Sequence, residues 1–528
     1  MKRPNHDKFR YQELRTFSWN QLWHEEVPRF NQADATERRE NLALIRAVGV
    51  VFAESGPASL TADVKQWLRQ LLQDPEEKIR RYAMNALPKI GAEAEDEAQL
   101  LSLLQSTDLD REKRHLGKAL DKIGTAATLE SLGKIGGLTP LTEQKVRAGI
   151  ARTEDLGTVR LDHELTNFSN LQIHLRTRRG LESILRDEFT ASARLKNKFR
   201  ITESSLELLQ LTPISPFTLG DLYSLRCFGT LGLVVGTLAR DSSAADVAQA
   251  IVSPASRQAL QTFTDGPIRY RLEFIAKGHQ RGAIREIVSQ AYSLCPEILN
   301  DPRRAPWAIE IHPLDASESV ELRPRLSPDP RFAYRVQDVP AASHPPLAAA
   351  MARLAGTLQN ETVWDPFCGS GLELIECARR GGIRALYGTD RSAEAIAITQ
   401  TNLTAAKLSA IPTKLVCTDF RDFAKVAGLG PETVSLIVTN PPMGKRVQIA
   451  DLTGLIEDLL AVAARVLKPG GRLIFPNPVP IRSLPPSLKL RSYQEVDMNG
   501  FDCQLEVYQK SATRPADKER FAAFHRRK

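Results

Sequence analysis

Through the first 160 residues apolar positions recur with helical spacing, in runs such as Trp67 to Leu72 and Leu100 to Leu104, separated by short polar breaks. Within this region Asn85-Ala86-Leu87-Pro88-Lys89-Ile90-Gly91 and Lys118-Ala119-Leu120-Asp121-Lys122-Ile123-Gly124 align at an offset of 33 residues. That period predicts helix pairs that bury a face by stacking on their neighbours. From about Phe168 the pattern changes. Leu171 to Leu175, Tyr270 to Phe274 and Ala308 to Ile311 alternate like strands, and Thr177 to Leu185 turns through Gly180 into an amphipathic helix. A proline-rich link runs from Pro324 to Pro346. Beyond it strands and helices alternate regularly to about residue 510, which predicts a doubly wound α/β domain with a largely parallel sheet.

The fold class is therefore multidomain: a helical region over 1–160, an α/β module over 167–315, a doubly wound α/β domain over 320–510 and a basic tail over 511–528. The length of 528 residues, at roughly 100 to 200 residues per domain, agrees with three or four domains. With 42% hydrophobic and 25% charged residues the composition excludes extensive disorder. No uncharged apolar run approaches the roughly 18 residues of a membrane helix, and the first 15 residues lack the apolar stretch of a secretory signal. Six scattered cysteines without CxxC spacing or a histidine cluster predict reduced thiols in a cytoplasmic protein, with no disulfide frame and no metal site.

Charge adds a partner. The net charge of +8 is uneven: residues 1–166 carry 25 basic and 26 acidic side chains, residues 167–200 carry eight against three, and residues 511–528 carry six against two. The first patch holds Arg176, Arg178, Arg179, Lys196 and Lys198, with Phe189 and Phe199 among them, a pattern suited to stacking and phosphate contact on nucleic acid.

Candidate chemistry lies in the last domain. Thr362 to Asp365 ends a strand, Pro366-Phe367-Cys368-Gly369-Ser370-Gly371 forms a tight turn, and Leu372 to Arg380 opens a helix. Glycines there let the backbone pass close to a ligand at the C-terminal edge of the sheet. The turn is not GxGxxG and the chain has no GxxxxGK[ST] loop, which disfavours a dinucleotide enzyme or an NTPase. A second strand, Arg384 to Thr389, ends in Asp390-Arg391, 25 residues after Asp365, where a carboxylate can accept both hydroxyls of a ribose. A third, Lys414 to Thr418, ends in Asp419-Phe420, suited to an adenine edge and face. A fourth, Val434 to Thr439, ends in Asn440-Pro441-Pro442-Met443-Gly444. Four successive strands thus deliver polar groups to one edge.

This set resembles the class I methyltransferases that use S-adenosylmethionine, and Asn440-Pro441-Pro442 resembles the (Asp/Asn)-Pro-Pro-aromatic motif of those that methylate amines. Asp365-Pro366-Phe367-Cys368-Gly369-Ser370-Gly371 is similar to the D-P-x-C-G-S-G form of THUMP-associated RNA methyltransferases, as are Ser343-His344-Pro345-Pro346-Leu347 and the glycine turn at 177–185. The resemblance covers about 168–510, and the helical region outside it resembles HEAT-type repeats. It implies a Rossmann-like catalytic domain and a THUMP-like RNA-binding module. The reaction it implies is methyl transfer to an exocyclic base amine, guanine N2 in tRNA or 23S rRNA. The implied cofactor residues are Asp365, Pro366, Cys368, Gly369, Ser370, Gly371, Asp390, Arg391, Asp419, Phe420 and Asn440. The catalytic residues are Asn440, Pro441, Pro442 and Met443. The implied partner is structured RNA, contacted by Arg176, Arg178, Arg179, Lys196, Lys198, Lys445 and Arg446; the helical region offers a further RNA or protein contact, and no membrane is involved.

The chemistry suits these residue types. An exocyclic amine is a poor nucleophile because its lone pair is delocalised into the ring, and acceptors at Asn440 and the Pro441 carbonyl favour a pyramidal nitrogen aimed at the methyl. Proline rings hold that segment extended, so the carbonyl stays free. One departure stands out: the fourth position is Met443, where an aromatic would stack on a flipped base. Two alternatives remain open, an adenine-N6 DNA or protein glutamine-amide methyltransferase, and a non-catalytic RNA-binding or ribosome-assembly scaffold.

Overall fold

The computed structural model describes residues 6–512 other than 92, 136–137, 241, 277, 279, 341, 445–448 and 499. The chain separates into two compact units, residues up to 160 together with 235–325, and residues 161–234 together with 326 onward. The segment 167–315 thus contributes to both.

In the first unit, helices follow one another from His6–Leu14 to Pro140–Glu154. Their buried faces carry the spacing read from the sequence: Val64, Trp67, Leu68 and Leu71 in Thr61–Leu71, and Leu116, Ala119, Leu120 and Ile123 in Asp110–Ile123. The two aligned segments close the helices Glu77–Ala86 and Asp110–Ile123, each preceded by a leucine-bearing helix, Thr61–Leu71 and Ala94–Ser106. Salt bridges tie successive pairs, Arg69 to Asp96 at 2.6 Å and Arg80 to Glu112. Among the described residues, the remainder of this unit has three helices, Ala244–Ile251, Pro254–Thr262 and Arg281–Leu294. Its strand Arg269–Phe274 runs parallel to Leu299–Asn300 and Trp307–Pro313, and the latter pairs antiparallel with Ser317–Pro324.

The second unit begins with an antiparallel arrangement in which Gln172–Arg176 lies between Leu208–Pro213 and the start of Thr230–Ala239, with Phe199–Ser205 beyond. The helix Glu182–Ala191 buries Ile184, Leu185 and Phe189. Phe189 and Phe199 are 2% and 1% exposed. The expectation that they stack on nucleic acid is therefore corrected: they are core, because helix and strand periodicity turns each inward while its basic neighbours face out.

The rest of this unit is a seven-stranded sheet: β1 (Glu361–Asp365), β2 (Ile383–Asp390), β3 (Thr413–Cys417), β4 (Val434–Val438), β5 (Leu467–Asn477), β6 (Leu488–Asp497) and β7 (Asp502–Lys510). Their order is β3-β2-β1-β4-β5-β7-β6, parallel except for β7, which runs against both neighbours. Helices α1 (Pro345–Leu354), α2 (Leu372–Arg379), α3 (Ala393–Ala405) and α4 (Leu452–Val466) accompany it. Every residue of β1 is buried, the polar Glu361, Thr362 and Asp365 included. The strand order reverses between β1 and β4, and at that switch point the loops diverge to leave a crevice at the C-terminal edge. Among the described residues no helix is long and apolar enough to cross a membrane.

Candidate active site

A cavity of about 660 Å³ opens at this crevice. The four strand ends read from the sequence meet there. The turn after β1 contributes Pro366, Cys368, Gly369 and Ser370, β2 contributes Asp390 and Arg391, the segment after β3 contributes Asp419 and Phe420, and the segment after β4 contributes Asn440 to Met443.

The turn is shaped by its glycines. Gly371 has φ +80°, and a Cβ there would lie 2.8 Å from Thr399 Cγ2. Thr399 in turn donates to the Gly369 carbonyl, and the Asn402 amide donates to the Ser370 carbonyl, so α3 holds the loop from below. Asp390 accepts the Gly369 N–H at 3.0 Å through one oxygen and the Ser392 N–H at 2.9 Å through the other. Each carboxylate oxygen keeps a lone pair toward the cavity. Asp419 accepts from the backbone and guanidinium of Arg421, whose position is shared with Asp458. Phe420 packs against Phe367 with ring centres 4.9 Å apart, and both line the cavity.

Two residues expected at the cofactor stand behind it. Gly371 and Asp365 are absent from the lining. Asp365 has no exposed surface; its Oδ1 accepts the Thr439 hydroxyl at 2.5 Å and the Phe367 N–H at 3.0 Å. Burial, and after it the charge of Glu373, pushes the Asp365 carboxyl well above the ordinary carboxylate range. It braces the loops after β1 and β4 against each other.

At the other end, Asn440 Nδ2 donates to Ser343 Oγ at 2.8 Å, while its Oδ1 is buried with no partner. Met443 Sδ lies 3.7 Å from Cys503 Sγ at the start of β7, and Met498 and Phe501, from the turn joining β6 to β7, line the same cavity. Of the basic residues read as RNA contacts, Arg178 reaches the cavity and donates to the Asp497 carbonyl at 3.1 Å. Arg179 pairs with Asp502 at 2.5 Å and Lys198 with Asp221 at 2.8 Å; Arg176 sits beside His174, and Lys196 is exposed. Lys445 and Arg446 lie outside the described residues. Sequence reading missed Phe367, Ser343, Glu373, Met498 and Phe501 as site residues. Phe367 and Ser343 lay inside quoted motifs, whereas the other three carry no local signal.

Residues 333–479 match the sequence model of a family described as "RMKL-like, methyltransferase domain". The chain is 32% identical over 171 residues to a tRNA (guanine(6)-N2)-methyltransferase of Thermus thermophilus, covering 31% of this chain and 49% of that one. It is 34% identical over 140 residues to a tRNA (guanine(10)-N2)-dimethyltransferase of Methanocaldococcus jannaschii, covering 26% and 38%. The chain therefore spans half or less of the length of these curated relatives. Among solved structures, TrmN from Thermus thermophilus aligns with a TM-score of 0.53 at 23% identity, covering 65% of this chain and all of that one, which establishes a shared fold. The four motifs at one sheet edge all lie within residues 333–479, the segment that resembles a methyltransferase domain of the RMKL-like kind.

Proposed function

We propose that the protein methylates an exocyclic base amine of structured RNA, guanine N2 of tRNA, with S-adenosylmethionine as methyl donor. The observation that carries this reading is Asn440, a residue of the cavity lining: its amide nitrogen is tied back to Ser343 while its oxygen is buried and unpartnered. A buried acceptor without a donor costs about 1–3 kcal/mol, and a substrate N–H would recover it.

The lining fits the cofactor. Its volume falls in the ordinary range of about 300–1,000 Å³ for small-molecule sites. Asp390 supports ribose hydroxyls, Asp419 with the Phe367 and Phe420 rings supports an adenine, and the turn at Gly369 supports close approach of the amino-acid end. Bound there, S-adenosylmethionine would supply an electrophilic methyl on a sulfonium for the amine lone pair, and the surplus proton of the nitrogen would pass to water. The protein's part is orientation. Asn440 Oδ1 and the Pro441 carbonyl accept from the amine and steer its lone pair, and no side chain need take the proton from the amine. The apolar wall of Met443, Met498 and Phe501 takes the base face, which supports a working site despite the missing aromatic at position 443.

Within this reading the module over 167–315 is THUMP-like and presents RNA, and the helix pairs of Thr61–Leu71 with Glu77–Ala86 and Ala94–Ser106 with Asp110–Ile123 are HEAT-like and offer a further contact for RNA or protein. The six free thiols support a reducing, cytoplasmic location. The names of the curated relatives favour tRNA over 23S rRNA. Incubation with methyl-labelled S-adenosylmethionine and bulk tRNA, rRNA, duplex DNA or protein, followed by nucleoside mass analysis, tests the reading. N2-methylguanosine in the tRNA fraction is expected. Label in DNA or protein, or in no fraction at all, would refute it.

A further inference from the structure

Asn440 is held from outside its own motif. Ser343, 97 residues away in the segment before α1, accepts the Asn440 Nδ2 proton, and its own hydroxyl donates to Glu373 Oε1 on α2. Ser343 is 8% exposed and Glu373 3%, so bulk water does not scramble these bonds. A hydroxyl has a single proton. Once that hydrogen bond is donated to the carboxylate, Ser343 has only lone pairs for Asn440, and the amide must turn Nδ2 toward it and Oδ1 away from it. The opposite orientation would set two oxygens against each other and aim N–H groups at an amine.

We propose that Ser343 and Glu373 are positioning residues that fix the direction of the Asn440 amide, so that the target amine meets an acceptor. The proposal rests on the assignment of Asn440 to that amine. It also has a pH signature. Burial holds the Glu373 carboxyl above its ordinary range; the Ser343 hydroxyl and Arg335 oppose, Glu376 on its own helix pushes the same way as burial, and the Glu373 charge in turn raises Asp365 at the end of β1. As pH falls through that raised value, Glu373 gains a proton and becomes the donor to Ser343. The Ser343 proton then turns toward Asn440 and the amide reverses.

The test compares the full-length wild type with Ser343→Ala and Asn440→Ala on bulk tRNA, with affinity for S-adenosylhomocysteine measured by calorimetry. Ser343→Ala is expected to lose about 10- to 100-fold in kcat. Its KM for tRNA and its S-adenosylhomocysteine affinity should stay within about twofold, because the site loses direction and keeps its contacts. The acid limb of the wild-type kcat profile should vanish in Ser343→Ala, and a crystal structure of that variant should show the Asn440 side chain in another rotamer. Ser343→Cys keeps the volume with a weak donor and carries the same expectations should the alanine variant fail to fold. Full turnover by the Ser343 variant beside an inactive Asn440→Ala overturns this proposal and leaves the functional reading standing. Full turnover by Asn440→Ala overturns that reading itself. A matching loss of S-adenosylhomocysteine affinity in Ser343→Ala, or an acid limb that persists unchanged, overturns the positioning role.

Discussion

Asp390 and Asp365 end neighbouring strands, and the sequence offers the same sign for both, a carboxylate after an apolar run. Their environments separate them. Asp390 faces the cavity, so Asp390→Ala is expected to weaken S-adenosylmethionine binding by about 10- to 100-fold, through lost charge-assisted bonds and a released Gly369 N–H; calorimetry checks it. Asp365 is sealed beneath, and its raised carboxyl has the opposite consequence for stability. A carboxyl whose folded pKa exceeds its unfolded value of about 3.9 favours the fold while protonated and costs stability as pH rises toward the folded value. Asp365→Asn keeps the acceptor for Thr439 and cannot ionise. The melting temperature of the wild type relative to this variant should therefore fall as pH rises from about 4; a constant difference would mean Asp365 is not perturbed. Met443 was legible as a departure from its motif, but its neighbours Met498 and Phe501 were not, because contact across more than 50 positions leaves no mark in a single sequence. Phe501→Ala should lower kcat/KM for RNA by about tenfold, the scale of one base–aromatic contact, with partial recovery in Phe501→Ala combined with Met443→Phe. Steady-state kinetics on one RNA decides it.

At the level of elements, the sequence pattern located the first four strands of the seven-stranded sheet, β1 to β4, within a residue or two, each ending in polar loop residues, and did not place β5 to β7. The turn at 177–180 was legible as a turn and misleading as a surface. Its charges face the β6–β7 hairpin. Arg178 donates to the Asp497 carbonyl, the Asp497 N–H donates to the Arg179 carbonyl at 3.1 Å, and Arg179 pairs with Asp502. Gly180, at φ +95°, lies so close that a Cβ would stand 1.7 Å from the Glu495 carbonyl oxygen. No alanine fits without moving the hairpin that carries Met498 and Phe501 to the cavity. Gly180→Ala should therefore cost at least about 1 kcal/mol of stability and depress RNA methylation, with S-adenosylhomocysteine affinity retained because Asp390 and Asp419 belong to other loops. Thermal melts and calorimetry on one preparation separate the two effects, and an unchanged methylation rate would show that the turn does not set the hairpin.

Across the whole molecule, the change of pattern near residue 160 marks a change of secondary structure without a change of folding unit. Residues 235–325 share one unit with the N-terminal helices, and the contacts are specific. Arg152, on the helix Pro140–Glu154, joins Asp121 and the fully buried Asp301, each at 3.0 Å, while Arg269, also without exposed surface, pairs with Asp301 and donates to the Leu156 carbonyl. The Tyr292 hydroxyl donates to Glu143 at 2.9 Å, and Ala148, Ala151, Tyr292 and Leu299 form one apolar cluster. Hydrophobic patterning could not reveal this, because the helix Pro140–Glu154 looks the same whether it closes a stack of helices or packs on a later segment. A chain beginning at residue 161 would bare that cluster and strip Asp301 of its Arg152 partner, and losing one member of a buried charged network is strongly destabilising. It is therefore expected to aggregate, or to melt in two steps with the 235–325 segment lost first, as read by size-exclusion chromatography and calorimetry. A single cooperative melt within a few degrees of the full chain would show instead that those contacts contribute little, and that the remaining chain folds without the N-terminal helices.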